Sequence, residues 1–328
     1  MKKYLSLFFG AWLCSAPAFA CDLCSIYLNL EPNDLKNSIG MNYRYRAFKY
    51  QSINSFSSST NLKHATGENI LSQSSTQEEL FNSYDLWANY FLHEKWQLNA
   101  TLTFADNYYL EDDSSLYNIA GPGDLTVLSK YMFYNTKVTD SSDWAIRILG
   151  GAGVQIPIGQ FNKTYVVAPS SSSKGNVVFG TPYEELDPHM QAGTGSWDLI
   201  FLMEAQVRYK KVGLASNVSY QVNSENSNQF RFANRFNVNS NAFVLLKLKQ
   251  FTFAPNIGLS YEFSERDRFQ GDRFYNSGGE ALFLNGGGKT YYRNFALGAT
   301  YFNPIRQSLN DRQLPNDYRY TIDLTYYF

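Results

Sequence analysis

The chain has 328 residues, 28 basic against 29 acidic side chains for a formal net charge of −1, and three cysteines. So even a balance offers no basic field and argues against nucleic acid as a partner. Aromatic residues reach 17% and charged residues only 17% at a mean hydropathy of −0.35, which is odd for a soluble globule. A wall with one greasy and one wet face averages to such values.

Lys2 and Lys3 precede an apolar stretch from Tyr4 to Leu13, and Ala18-Phe19-Ala20 forms a small-x-small cleavage site. Residues 1–20 therefore read as a secretory signal peptide, leaving a mature chain that begins at Cys21. That stretch is about half of the ~20 apolar residues a membrane helix needs, and no longer apolar run follows. Cys14 leaves with the signal. Cys21 and Cys24 remain in an N-terminal segment, residues 21–37, expected in the periplasm or inside the lumen. They admit a disulfide or free thiols, half of a metal site, or lipidation at Cys21. Metal binding lacks two further ligands nearby, and Ala18 with Phe19 departs from the pattern lipidation wants.

From Ser38 onward the chain alternates apolar and polar residues with the period of a strand. Ser38 to Phe48 sets Ile39, Met41, Tyr43 and Tyr45 against Asn42, Arg44 and Arg46. A polar stretch, Lys49 to Glu79, precedes a second strand from Leu80 to Leu92, with Leu86, Ala88 and Tyr90 opposite Asp85 and Asn89. After a tight turn, Trp96 to Tyr109 places Trp96, Leu98, Ala100, Leu102 and Phe104 against Gln97, Asn99, Thr101 and Thr103. Gly121 to Tyr134 and Trp144 to Ile156 follow, with Arg147 expected inward.

Ile158 to Gly195 is the longest connection, long enough to fold inward as a constriction or to stand outside as a loop. Ser196 to Tyr209 sets Leu199, Phe201 and Met203 against Asp198, Glu204 and Arg208, and Leu214 to Val222 alternates after a Lys210-Lys211 turn. Phe230 to Lys247 reads as one strand with Phe232 and Phe236 on one side and Arg231, Arg235 and Asn237 on the other. A ninth strand runs from Phe251 to Phe263. The facing of the tenth, Gly279 to Tyr292, is blurred by Gly286, Gly287 and Gly288, which suit a bend or a close approach. Phe295 to Ile305 and the closing strand from Tyr318 to Phe328 complete the count.

The fold class read from this pattern is all-β: a transmembrane antiparallel up-and-down barrel of about 12 strands over residues 38–328. Short periplasmic turns alternate with long extracellular loops. Closure removes the edges and satisfies the backbone in lipid. The expected surroundings are outer-membrane lipid, and the expected location is the outer membrane of a Gram-negative cell. The aromatic end, Tyr326 and Phe328, resembles the insertion signal that barrel-assembly machinery reads.

The stretch from Leu186 to Glu225 carries a Gly193-Thr194-Gly195-Ser196-Trp197-Asp198 block leading into a strand, a short turn and a second strand. With Gly258-Leu259-Ser260-Tyr261-Glu262, the Gly-rich tenth strand and the closing Tyr318-to-Phe328 run, it resembles the outer-membrane transporter family associated with meta-pathway phenol degradation. The likeness covers the second half by motif and the first half by architecture. The Cys21-Asp22-Leu23-Cys24 start resembles members from Bacteroidetes-type bacteria. The resemblance implies an envelope channel or transporter for an unknown small solute, and does not establish phenol as cargo.

Lumen candidates are Arg44, Arg46, Asp85, Asp124, Lys130, Arg147, Asp198, Glu204, Arg208, Arg231, Arg235 and Glu262. Mixed signs among them either select polar solutes or neutralise one another as structural ladders. Two other classes compete: a non-conducting scaffold or adhesin-like surface protein, and a barrel phospholipase. The second needs a nucleophile beside a base, yet His64 and His189 fall in loops, His93 in a turn, and Asp187 with His189 reads as a solvated pair. No enzyme activity, cofactor or metal is expected.

Overall fold

The computed structural model describes residues 36–55, 72–112, 114–136, 143–162, 164–166, 183–185, 187–311 and 313–328. The proposed signal peptide, Cys21, Cys24 and His64 lie outside them. Alternating side chains make strands because successive Cβ atoms point to opposite faces. Twelve such strands form the wall: β1 (Ser38–Ser55), β2 (Ser72–His93), β3 (Trp96–Glu111), β4 (Ser114–Asn135), β5 (Trp144–Ile156), β6 (Asp198–Tyr209), β7 (Val212–Val222), β8 (Arg235–Val244), β9 (Phe251–Ser264), β10 (Gly279–Tyr292), β11 (Phe295–Leu309) and β12 (Asn316–Tyr327). Leu246–Leu248 prolongs β8 beyond an interruption at Leu245 and pairs with β9.

Each strand pairs antiparallel with its sequence neighbour, and β1 meets β12 from Ser38↔Tyr327 to Phe48↔Asn316, which closes the cylinder. Both described chain ends lie at the rim with the short turns, where Phe328 N–H bonds Asn37 O at 2.9 Å. That rim is the periplasmic one by the barrel rule. Lys210, Lys249 and Arg293 make the tight turns with left-handed φ of 52°, 51° and 52°.

The outward faces carry Leu86, Met203 and Ile257, exposed by 58%, 53% and 60%. Such side chains suit a lipid belt. The inward faces are polar: Asn42, Asp85, Asn239, Asn241 and Asn285 are buried, and cross-strand bonds such as Asn285 Nδ2 to Ser260 Oγ (2.7 Å) join them. The tenth strand resolves as well. Ala281, Phe283, Asn285, Lys289 and Tyr291 point in and are buried, while Leu284 is exposed on the outside.

Three expectations change. The polar stretch from Lys49 to Glu79 is strand at both of its described ends, where pairing runs to Ser55↔Ser72, and β3 pairs with β4 as far as Glu111↔Ser114; polar strands can stand above the membrane where both faces are wet. The supposed single strand from Phe230 to Lys247 is broken before Arg235. Arg231 therefore leaves the wall, joining Phe230–Arg231, Arg268–Phe269 and Asp272–Arg273 in a small loop sheet. Phe232, expected outside, is 4% exposed and points into the barrel mouth.

Candidate functional site

The longest connection bends inward. Residues 187–196 lie across the barrel mouth, where Pro188–Met190 makes one 3-10 turn capped by the Asp187 side chain. Met190, 1% exposed, packs on Phe48, Phe81 and Ile119 from the inner faces of β1, β2 and β4. Asn107 Nδ2 on β3 donates to Met190 O at 3.1 Å. An apolar anchor among inward aromatics replaces water at the top of the lumen.

Asp124 fastens the base of this segment. Its Oδ2 accepts from Thr194 N–H (2.8 Å), Thr194 Oγ1 (2.7 Å) and Gln155 Nε2 (2.9 Å), and its Oδ1 accepts from Gly159 N–H (3.0 Å). One carboxylate thus ties the start and end of the connection to β4. A side chain at Gly159 or Gly193 would begin 2.7–2.8 Å from Asp124 Oδ1, so the fit requires glycine.

Beneath this septum lies a cavity of about 160 Å³. Gln191, Thr194 and Phe232 roof it, and Arg44, Asp85, Lys130 and Glu204 stand among its walls. Lys130 Nζ and Glu204 Oε1 are 3.1 Å apart, and Arg44 reaches Asp85 at 3.5 Å. Asp85 also accepts from Asn42 Nδ2 (3.1 Å) and Thr103 Oγ1 (2.8 Å). Lower-dielectric surroundings require such pairing, since an ion without partners there is costly.

Above the septum lies a second cavity of about 250 Å³, bounded by Phe161, Phe230, Phe232, Phe269 and Phe274 with Asn162, Asn226 and Asn228. The two cavities share Gln191, Thr194 and Phe232. Towards the periplasmic rim the inner wall turns apolar, where Phe243, Leu245, Tyr291 and Tyr327 cluster with three alanines.

The sequence candidates divide. Arg44, Arg46, Asp85, Asp124, Lys130, Glu204 and Arg235 line the upper lumen. Arg147 and Arg208 lie on β5 and β6 at the periplasmic end and outside that lining, paired across Ala145↔Arg208 and Arg147↔Gln206. Asp198, 1% exposed, is consumed by Ser196 Oγ (2.9 Å) and Ser224 N–H (3.0 Å). Glu262 pairs with Arg319 at 2.8 Å, away from the cavity. Arg231 is off the wall.

Four groups were missed. Arg319 and the Lys289–Asp323 pair, 2.8 Å apart, follow from alternation in β10 and β12. Phe232 and His189 do not. His189 is no solvated partner of Asp187 alone: its Nε2 lies 2.8 Å from Asp267 Oδ2 on the β9–β10 loop. Its ring also meets Phe230 and Phe232 edge to face. Burial lowers its pKa, but Asp267 and then Asp187 outweigh that and hold it well above 6.5. Asp187 and Asp267 are held below the usual aspartate value, burial being overcome by the charge and hydrogen bonds of His189.

No family model matches the chain, and no curated protein matches it in sequence. Among solved structures it is similar to an outer membrane channel from Pseudomonas putida F1, with a TM-score of 0.56 at 12% identity over 92% of this chain and 99% of that one. The β domain of the Bordetella autotransporter BrkA aligns at 0.47 and 10% identity over 90% and 100% of the two chains. The CymD monoaromatic hydrocarbon channel aligns at 0.36 and 8% identity over 90% and 89%. With the closed register, the first of these shows the fold of the chain to be that of a twelve-stranded outer-membrane β-barrel.

Proposed function

We propose that the chain is an outer-membrane channel for small solutes, and that those solutes are weakly polar and aromatic. The carrying observation is the pair of cavities divided by one thin septum, with residues Gln191, Thr194 and Phe232 shared between them. A phenylalanine-lined mouth favours an aromatic guest through ring packing, while Asn162, Asn226 and Asn228 supply hydrogen bonds for a hydroxyl or carbonyl edge. The lower cavity offers charged and amide groups to a solute that has shed its water. The resemblance to the phenol-associated transporter family points the same way. A signal peptide and a periplasmic or lumenal N-terminal segment belong to the same reading.

Purified protein in planar bilayers should pass ions in discrete steps, and a phenolic solute should reduce that current by occupying the path. Arg235→Asp, on the cavity wall, should shift anion–cation preference, whereas Arg231→Asp, on the loop sheet, should leave it unchanged. Equal effects of both would remove the cavity from the path. The apolar cluster of Phe243, Tyr291 and Tyr327 at the periplasmic rim favours a second reading, a non-conducting scaffold. Complete electrical silence of the folded protein would support it.

A further inference from the structure

His189 joins three extracellular pieces. Its Nδ1 faces Asp187 Oδ1 at 2.8 Å on its own turn, and its Nε2 faces Asp267 Oδ2 at 2.8 Å on the loop between β9 and β10. Asp267 is itself held, its Oδ1 accepting from Ala233 N–H at 2.6 Å just before β8 and its own N–H donating to Ser277 Oγ at 2.9 Å. A neutral imidazole has one donor and one lone pair. Two carboxylates are therefore satisfied together only by the imidazolium.

The other charges facing this group are Glu79 on β2, which opposes Asp187, Arg46 on β1 beside Glu79, and Arg235 on β8 beside Asp267. The two arginines offset the surplus of carboxylates without replacing the imidazolium between them. The rest of the septum is fixed by Asp124 at Thr194 and by Gly193 N–H to Gln160 O at 2.8 Å. Gly195 then turns with φ of 70°. The turn bearing His189 and Met190 is held by the packing of Met190 and by Asn107 Nδ2 at 3.1 Å, and His189 adds a charged tie to the loop between β9 and β10.

We infer that His189 is a proton-operated latch on the septum: charged, it ties the turn to the Asp267 loop and keeps the two cavities apart; neutral, it releases Asp267 and joins them. This rests on the channel reading. Asp187 is not the partner that lets go, because it also accepts the His189 backbone N–H at 2.9 Å. The direction follows from the raised imidazole pKa and the lowered carboxylate ones. The latch is complete through neutral pH, lost as pH rises past the folded value of His189 and the proton passes to solvent, and lost again only in strong acid when the carboxylates protonate.

The test is current through the full chain in planar bilayers from about pH 6 to about pH 10. Wild type should conduct weakly at the neutral end and rise about tenfold at the alkaline end, the scale on which losing a charge-assisted hydrogen bond shifts a two-state balance. His189→Ala should show the high level throughout, and His189→Arg the low one. A wild-type profile in His189→Ala overturns the latch. Histidine-ring NMR reads the same contact without current, because the whole chain has three histidines. His189 should titrate well above 6.5 and fall back towards that value in Asp267→Asn; an ordinary titration in wild type overturns the latch whatever the conductance. Silence of every variant beside a high-titrating His189 would overturn the channel reading instead, and the gating with it.

Discussion

Arg319 shows what a single side chain contributes inside this lumen. Its guanidinium meets Glu262 at 2.8 Å, with the two side chains 5% and 3% exposed, and lies 4.2 Å from the centre of the Phe283 ring. Removing one member of such a pair leaves the other charged, buried and without its strongest contact. Arg319→Ala should therefore cost about 3–5 kcal/mol of barrel stability, read as a lower midpoint of urea unfolding in lipid vesicles. Glu262→Gln with Arg319→Met should recover part of that loss, because replacing both partners removes the stranded charge. Single residues also explain the misplacement of Phe232: alternation puts it with Phe236, but the break before Arg235 changes which way it points.

At the scale of elements, neighbouring strands approach so closely that some positions have no room for a side chain. A Cβ on Gly153 of β5 would sit 2.1 Å from Val127 O and 2.6 Å from Leu128 Cδ2 on β4. The first of these is backbone and cannot rotate away. Gly153→Val should push β5 from β4, lowering the yield of folded barrel while leaving expression unchanged; a gel comparing heated and unheated samples would show the unfolded fraction rise. In the sequence Gly153 follows Gly150, Gly151 and Ala152. Only the pairing Leu128↔Gly153 shows it to be a contact with the next strand.

For the whole molecule, closure is the property on which location depends. The last strand pairs with β1 and β11 together, and its outward Tyr326 stacks near Phe295 and Phe328 with ring centres 5.0 and 6.2 Å apart. We expect removal of Phe328 to reduce assembly into the outer membrane several-fold, measured as heat-resistant barrel in membrane fractions, since the terminal aromatic is the proposed signal to the assembly machinery. A retained yield would assign that signal elsewhere. The folded chain should also resist detergent until heated, because no strand edge is left open to unzip.

The wall was legible because every strand writes its own facing locally, one residue in and one out, and lipid outside demands that the pattern persist through all twelve strands. Connection lengths then sorted the rims; closure itself is the pairing of β1 with β12. The septum and its latch were not legible, because Asp124, His189 and Asp267 lie 65 and 78 positions apart in turn and meet only once the cylinder brings their loops to one mouth. Local periodicity carries information over a few residues. Which loop folds inward, and which charges it finds there, is decided by packing between segments that the sequence keeps far apart.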